Sequence, residues 1–95
     1  MLFEIRLTDE AQHDLKELRA FDRTRITKGL EQQLTHQPQQ VSKSRIKRMV
    51  EPFWCQYRLR VDEFRVYYDV DDTNQVVNVL RIIKKGRDTT PEQNP

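Results

Sequence analysis

The sequence has very few of the residues that cross-link a chain, form phosphate loops or span membranes. Among 95 residues it has one cysteine, two glycines and no long apolar run. A single cysteine excludes an internal disulfide and suits a reducing cytoplasm. Without a long apolar run, no helix is expected to span a membrane. Since Gly29 and Gly86 are the only glycines, a glycine-rich phosphate loop is excluded as well. We therefore expect a cytoplasmic protein without membrane contact.

Apolar residues are also scarce, because they make up only 36% of the chain while charged residues make up 34%. A chain of this length forms one compact domain rather than two. With so few apolar residues, their pattern along the chain is the main source of information. We predict one domain over residues 1–88, followed by a polar, proline-bearing tail over residues 89–95, where a chain end is expected to fray.

The net charge of +2 is too small to indicate nucleic-acid binding, but the charges are unevenly distributed. Residues 1–42 carry six basic and seven acidic side chains, whereas residues 43–87 carry eleven basic and six acidic side chains. The second half of the chain is therefore the basic half.

The first half of the domain has the pattern of one strand and two helices. Apolar residues alternate with charged ones over residues 2–7, which predicts a strand. Thr8 is a candidate helix N-cap, and apolar side chains follow it at helical spacing. For a second helix we expect Asp22 as the N-cap and a hydrophobic staple between Phe21 and Ile26, with an end near residues 37–38.

The second half has the pattern of three strands. Residues 39–53 are polar and irregular, and Pro52 argues against a central strand there. Alternation then predicts strands over 55–61, 64–70 and 76–83, the first two joined at Asp62 and Glu63. The expected fold is a single small α+β domain in the order β-α-α-β-β-β. Its sheet is mainly antiparallel with a helical hairpin on one face, and the place of the first strand in the sheet is left open.

Strand alternation also predicts a basic face. If Leu59, Val66 and Leu80 point at the helices, the opposite face carries Arg58, Arg60, Arg65, Tyr67 and Arg81. Arginine matches phosphate oxygens with a rigid fork, and a tyrosine ring offers a surface for base stacking. The candidate RNA-binding set also includes basic residues of the preceding loop and of the chain past the last strand, namely Lys47, Arg48, Lys84 and Arg87.

A plainer interpretation of the same residues stays open. Asp69 or Glu63 could pair with the sheet arginines, and the basic cluster at 43–48 could be a solvated loop. His13 and His36 lie on polar helix faces without a second ligand at metal spacing, so we expect no metal site. Cys55 lies in the apolar register of its strand and is expected to be a core residue. We expect no cofactor.

Three stretches resemble the RelE/ParE toxins. Residues 57–70, YRLRVDEFRVYYDV, resemble the signature hairpin of that family, which commonly reads Y-R-L-R-x-G-x-Y/F-R-V-x-Y. Ile5 to Thr8, followed by Ala11, Asp14 and Leu15, is similar to the family's first strand and helix. Residues 79–87, VLRIIKKGR, look like its last strand and basic terminus. The resemblance covers residues 2–87, and three motifs in the right order are fairly specific.

The resemblance implies a toxin of a type II toxin–antitoxin pair, with a cognate antitoxin as its partner. The RelE branch cleaves mRNA inside the ribosome by driving a ribose 2′-OH onto the neighbouring phosphate. Positive charge on that phosphate and a proton acceptor for the 2′-OH are required. Arg58 and Arg65 fall where that branch has important basic residues, and Lys85 falls near its last one. These three residues are the expected catalytic residues of a metal-independent endoribonuclease that inhibits translation and arrests growth.

Other positions depart from the family pattern. Gln56 stands where RelE has a lysine, Glu63 replaces the hairpin glycine, and no tyrosine or histidine follows Arg87. Because arginine stays protonated, only Lys84 or Lys85 in a neutral form could accept the proton. Two alternatives therefore remain. The chain could be a non-enzymatic ParE-like toxin that inhibits DNA gyrase, or a degenerate toxin retained as an antitoxin-binding partner.

Overall fold

The computed structural model of this chain describes residues 2–86, which form one five-stranded sheet and two helices. The elements follow in the order β1 (Glu4–Leu7), α1 (Asp9–Lys16), α2 (Ala20–Leu34), β2 (Ile46–Arg48), β3 (Tyr57–Val61), β4 (Phe64–Asp71) and β5 (Val76–Lys84). The strand order across the sheet is β1-β5-β4-β3-β2. The α+β class and the helical hairpin on one face of the sheet are confirmed.

The first strand, whose place the sequence left open, lies at one edge of the sheet and pairs in parallel with β5. The register runs from Glu4 opposite Val76 to Leu7 opposite Val79. All other strand pairs are antiparallel. A parallel pair needs a long crossover connection, which here includes both helices and the antiparallel strands.

The opposite edge is formed by β2, a strand that the sequence did not predict. Ile46 lies opposite Leu59, and Arg48 lies opposite Tyr57. The prediction of an irregular segment over 39–53 is wrong at these three residues. The strand is too short to show alternation, and its hydrogen bonds depend on the neighbouring β3 rather than on its own composition.

The two helices begin in different ways. The hydroxyl of Thr8 accepts a hydrogen bond from the Ala11 N–H at 3.1 Å, so the predicted N-cap of α1 is confirmed. By contrast, α2 begins at Ala20 with Arg19 at the N-cap position and no side-chain cap. The predicted Asp22 cap is wrong, because Asp22 lies in the first turn. The predicted staple is wrong too, because the Phe21 side chain is 63% exposed and packs against arginines instead.

The hydrophobic core lies between α2 and one face of the sheet. On α2 it includes Ile26, Leu30 and Leu34, which recur at the predicted helical spacing. On the sheet it includes Leu59, Val66, Tyr68, Val77, Val79 and Ile82. A Cβ atom at Gly29 would come within 3.0 Å of the Val61 side chain, so glycine allows α2 to approach β3 closely. Neither helix in the described part of the chain is long and apolar enough to cross a membrane.

A β-bulge in β5 changes the predicted alternation. Tyr67 lies opposite Arg81, but the next residue, Tyr68, lies opposite Val79, so Leu80 is the extra residue. Val79 and Ile82 are buried, whereas Leu80 is only partly buried. The prediction that Leu80 faces the core with Ile82 is therefore wrong, because one extra residue shifts the side-chain alternation.

Candidate nucleic-acid interface

Four basic side chains share the sheet face that points away from the helices. We call Lys47, Arg58, Arg60 and Arg65 the positive face. Lys47 lies opposite Arg58 across β2 and β3, and Arg60 lies opposite Arg65 across β3 and β4. Residues directly opposite each other in an antiparallel pair project to the same side. The alternate positions, represented by Leu59 and Val66, are fully buried in the core.

The three arginines of the positive face lie close together without a counter-charge. In residues 2–86, no carboxylate forms an ion pair within 4.0 Å of Arg58, Arg60 or Arg65. Partial burial, together with the charges of Arg58 and Arg60, lowers the pKa of the Arg65 guanidinium below its usual value. The Nε atom of Arg58 is buried and has no hydrogen-bond partner among the residues that the structure describes. This arrangement favours the binding of an anion.

The plainer interpretation, in which Asp69 or Glu63 pairs with the sheet arginines, does not hold in the described structure. The Oδ1 atom of Asp69 accepts the Gln56 backbone N–H at 2.7 Å. The carboxylate of Glu63 accepts a hydrogen bond at 3.1 Å from Arg25 on α2. Both carboxylates instead form hydrogen bonds that hold the β3–β4 hairpin.

Tyr67 lies in the register of the positive face, but its ring is not exposed as the alternation predicted. The residue is only 5% exposed. The Phe53 and Trp54 rings lie 5.7 and 5.0 Å from the Tyr67 ring, between centroids. Phe53 and Trp54 also stack on each other at 5.2 Å and are half-buried. We call Phe53, Trp54 and Tyr67 the aromatic patch. Phe53 was not anticipated from the sequence, although two adjacent aromatic residues before a strand were a visible signal.

The other basic residues predicted to bind RNA lie elsewhere. Arg48 lies opposite Tyr57 on the helix side of the sheet, with its guanidinium over that ring at 5.1 Å. Lys84 lies opposite Phe64, whose side chain is in the core. The side chains of both residues therefore leave the sheet on the face opposite to the positive face. Arg87 and the tail at 89–95 lie outside the described residues.

Arg81 is committed to an ion pair with α1. Its guanidinium donates two hydrogen bonds to the Asp14 carboxylate, at 2.7 and 3.1 Å. The same carboxylate accepts the Ile82 backbone N–H at 2.9 Å. Arg81 therefore ties α1 to the bulged part of β5.

Lys85, the predicted proton-transfer residue, is exposed just past the end of β5. Its backbone N–H donates a hydrogen bond at 2.7 Å to the Glu63 carbonyl, so the residue lies beside the β3–β4 turn. That turn also carries the carbonyl of Asp62, which accepts a hydrogen bond at 3.0 Å from Arg65. Lys85 and Arg65 are thus brought to the same end of the sheet.

Arg25 holds the turn between β3 and β4 and was not anticipated from the sequence. Its guanidinium pairs with Asp62 at 2.8 Å and with both Asp22 and Glu63 at 3.1 Å. Asp62 has a positive φ of 53°, a conformation that aspartate adopts more readily than most residues. Asp62 therefore takes the backbone conformation for which such a turn usually has a glycine, so the expectation that Glu63 replaces the hairpin glycine is wrong.

The remaining candidates have ordinary environments. His13 and His36 are exposed, and the His13 Nε2 atom lies 3.6 Å from a Glu17 carboxylate oxygen. Cys55 is buried, and its thiol donates to the Tyr57 carbonyl at 3.3 Å, as expected of a core residue. Over residues 2–86, no three potential ligand side chains are grouped to hold a metal ion.

A family model described as the ParE toxin of the type II toxin–antitoxin system parDE matches residues 5–89 of the chain. A search of curated protein sequences finds no match.

Solved structures also share the fold. A chain of the RelBE2 toxin–antitoxin complex from Mycobacterium tuberculosis superimposes with a TM-score of 0.78 at 21% identity, over 90% of this chain and 100% of that one. A chain of the archaeal RelE–RelB complex from Pyrococcus horikoshii gives a TM-score of 0.72 at 21% identity, over 93% and 100%. The isolated RelE toxin of E. coli gives a TM-score of 0.68 at 18% identity, over 92% and 88%.

Proposed function

The chain belongs to the ParE toxin family and is a toxin of the type II toxin–antitoxin kind, and on this basis we propose that it cleaves mRNA on the ribosome. The observation that carries the proposal is the group of Arg58, Arg60 and Arg65 on one sheet face, where none of the three has a carboxylate partner among residues 2–86. Such a group destabilises the free fold, because like charges lie directly opposite each other. An RNA phosphate would supply the missing negative charge.

The proposed chemistry follows from these side chains. The ribose 2′-OH attacks the adjacent phosphorus, the bond to the 5′-oxygen of the next nucleotide breaks, and a 2′,3′-cyclic phosphate forms. Arg58 and Arg65 donate hydrogen bonds to the phosphate oxygens, on which negative charge accumulates in the transition state. Lys85, in its neutral form, accepts the 2′-OH proton, and the departing 5′-oxygen takes up a proton from water.

We propose a cognate antitoxin as the physiological partner of the chain. Two of the structural neighbours are chains of toxin–antitoxin complexes. An antitoxin segment with acidic and apolar residues would suit the positive face and the aromatic patch beside it, because it would mask charge and apolar surface together. Reversing the charge at Arg58 and Arg65 should then weaken antitoxin binding and reduce its dependence on salt.

One observation favours a second function, inhibition of DNA gyrase without cleavage. Of the described residues assigned to the proposed chemistry, Lys85 alone could exchange a proton, since Arg58 and Arg65 stay charged. A toxin that only binds needs no proton acceptor. In that case the positive face would contact protein or DNA and would leave mRNA intact.

Induced expression of the chain alone tests the proposal. We expect bacterial growth to stop and primer extension on a translated message to reveal new cleavage sites that depend on the ribosome. Intact message together with blocked gyrase supercoiling would establish the second function instead. Normal growth with soluble protein present would indicate a degenerate toxin.

A further inference from the structure

The aromatic patch is the feature of the described chain that the proposed chemistry does not use. None of its three residues belongs to the hydrophobic core between the sheet and the helices. The patch lies on the opposite face of the sheet, where Tyr67 is directly across from Arg58. Packing of the core therefore does not explain why three rings are grouped there.

The aromatic patch directly adjoins Arg58 of the positive face. Adjacent strands are about 4.8 Å apart, so the Tyr67 ring begins one strand spacing from the Arg58 backbone. Phe53 and Trp54 lie over Tyr67, with ring centroids within 5.7 Å of it. In a nucleotide, the base and its phosphate are likewise separated by a single ribose. A phosphate at Arg58 would therefore place its base beside the patch.

Charge and shape together favour a nucleobase over an apolar peptide. The patch borders an arginine cluster whose nearest described carboxylates are committed to other groups. Phe53 and Trp54 are only half-buried, so each retains accessible ring surface. Stacking on an aromatic ring next to a positive groove is how proteins bind single strands without reading their sequence.

We propose that Phe53 and Trp54 form a base-stacking subsite next to the phosphate-binding arginines, so that the free protein binds single-stranded RNA. This proposal rests on the proposed function but extends it, because it assigns an affinity for RNA to the toxin before it meets the ribosome. The subsite holds the base that adjoins the scissile phosphate, while Tyr67 supports the two outer rings from below.

The only tryptophan of the chain, Trp54, reports on the subsite directly. The probe is a short single-stranded 2′-O-methyl RNA, which cannot be cleaved because it lacks the attacking hydroxyl. Binding to the purified full-length chain is followed by anisotropy of a labelled probe and by Trp54 fluorescence. We expect the probe to quench the fluorescence, whereas an abasic strand of equal length binds through charge alone and leaves it unchanged.

Two variants separate stacking from folding. Trp54→Leu should weaken binding of the base-bearing probe by about 5- to 150-fold, the range for loss of one stacked base, and leave the abasic strand unaffected. Trp54→Tyr keeps a ring and should retain most of the affinity, which a purely structural role of the indole would not explain. Arg58→Ala should weaken both probes and lower the salt dependence of binding.

Several outcomes would overturn the proposal. These are an absence of binding at low salt, equal affinity for abasic and base-bearing strands, and quenching by polyglutamate but not by RNA, which would indicate an acidic peptide instead. The result is separable from the proposed function, since ribosome-dependent cleavage without quenching would leave the endoribonuclease in place and remove only the subsite.

Discussion

At the scale of single residues, the central feature is the pairing of Arg60 with Arg65 across β3 and β4. Arg65 donates hydrogen bonds to the carbonyls of Asp62 and Phe64, which hold its guanidinium but supply no full counter-charge. Like charges opposite each other destabilise a sheet. Burial lowers the pKa of Arg65, and the nearby charges of Arg58 and Arg60 lower it further. The arrangement is useful only if an anion binds there.

Replacing Arg60 should therefore stabilise the free protein while weakening RNA binding. We expect Arg60→Gln to raise the free energy of unfolding by roughly 0.2–1 kcal/mol, because it removes one like-charge pair. Urea denaturation measures the change, and the gain should shrink at high salt as screening increases. Lys28→Gln, which removes an exposed charge from α2, is the matched control and should change stability little. A loss of stability in Arg60→Gln at low salt would contradict the account.

The second prediction concerns the pH dependence of stability and rests on Tyr68. Its hydroxyl donates a hydrogen bond at 2.6 Å to the Pro38 carbonyl, and burial raises its pKa, with further contributions from Tyr57 and Cys55. A raised pKa means that the folded state favours the neutral phenol. The contribution of Tyr68 to the free energy of unfolding is fully present below pH 10.0, the pKa of tyrosine in the unfolded chain. It is lost as the pH rises further.

The variant Tyr68→Phe should lose this alkaline dependence. It should also lower the free energy of unfolding at neutral pH by about 1–3 kcal/mol, because the buried Pro38 carbonyl loses its donor. Unfolding measured from pH 8 upward checks both effects. The control is Tyr57→Phe, which should keep the alkaline loss of stability. If the stability of Tyr68→Phe fell with rising pH as steeply as that of the wild type, Tyr68 would not be the source of the alkaline dependence.

At the scale of secondary-structure elements, α1 closes the part of β5 that β1 does not cover. The Thr8 backbone N–H and hydroxyl donate to the carbonyls of Val79 and Leu80, both at 3.0 Å. Asp14 then accepts from Arg81 and from the Ile82 N–H. The first helix thus satisfies hydrogen bonds of β5 around the bulge, where a bare edge would otherwise be open to other strands.

We expect Asp14→Asn to loosen this contact, because the amide loses the ion pair with Arg81 and only its oxygen can still accept from Ile82. The free energy of unfolding should fall by about 1–3 kcal/mol, as for removal of a partner from a part-buried polar group. Hydrogen exchange should show faster exchange of the Ile82 amide, whereas the exposed Glu31→Gln on α2 should leave it unchanged. Unaltered Ile82 exchange would rule out the bracing role of Asp14.

The sequence predicted those helices and strands that a local residue pattern determines. Alternation and helical spacing predicted β3, β4 and the stripe on α2, since each buries one regular face. The place of β1, the strand β2 and the bulge at Leu80 depend on partners distant in sequence. The same holds for the site. Strand alternation placed Arg58, Arg60 and Arg65 on one face. It could not predict the rings that cover Tyr67 or the carboxylate that pairs with Arg81, because both come from other parts of the chain.

At the scale of the whole molecule, the two faces of the sheet have different roles. One face binds the helices and forms the core, while the other presents the positive face and the aromatic patch. Because the described cations of this face are not neutralised within the sheet, an anionic partner can be bound without breaking the fold. The family of the chain is that of a toxin of type II toxin–antitoxin systems, and the chemistry of this face suits the RNA target that we propose.

The rate of mRNA cleavage on programmed ribosomes tests this account most directly. The wild-type chain should cleave a translated message, and Arg65→Ala should slow single-turnover cleavage by about 100-fold or more, the scale for loss of one donor that stabilises transition-state charge. Lys28→Ala, which removes one positive charge from the helix side, should cleave at the wild-type rate. Equal cleavage by wild type and Arg65→Ala, or a message left intact by the folded wild-type chain, would contradict the central claim.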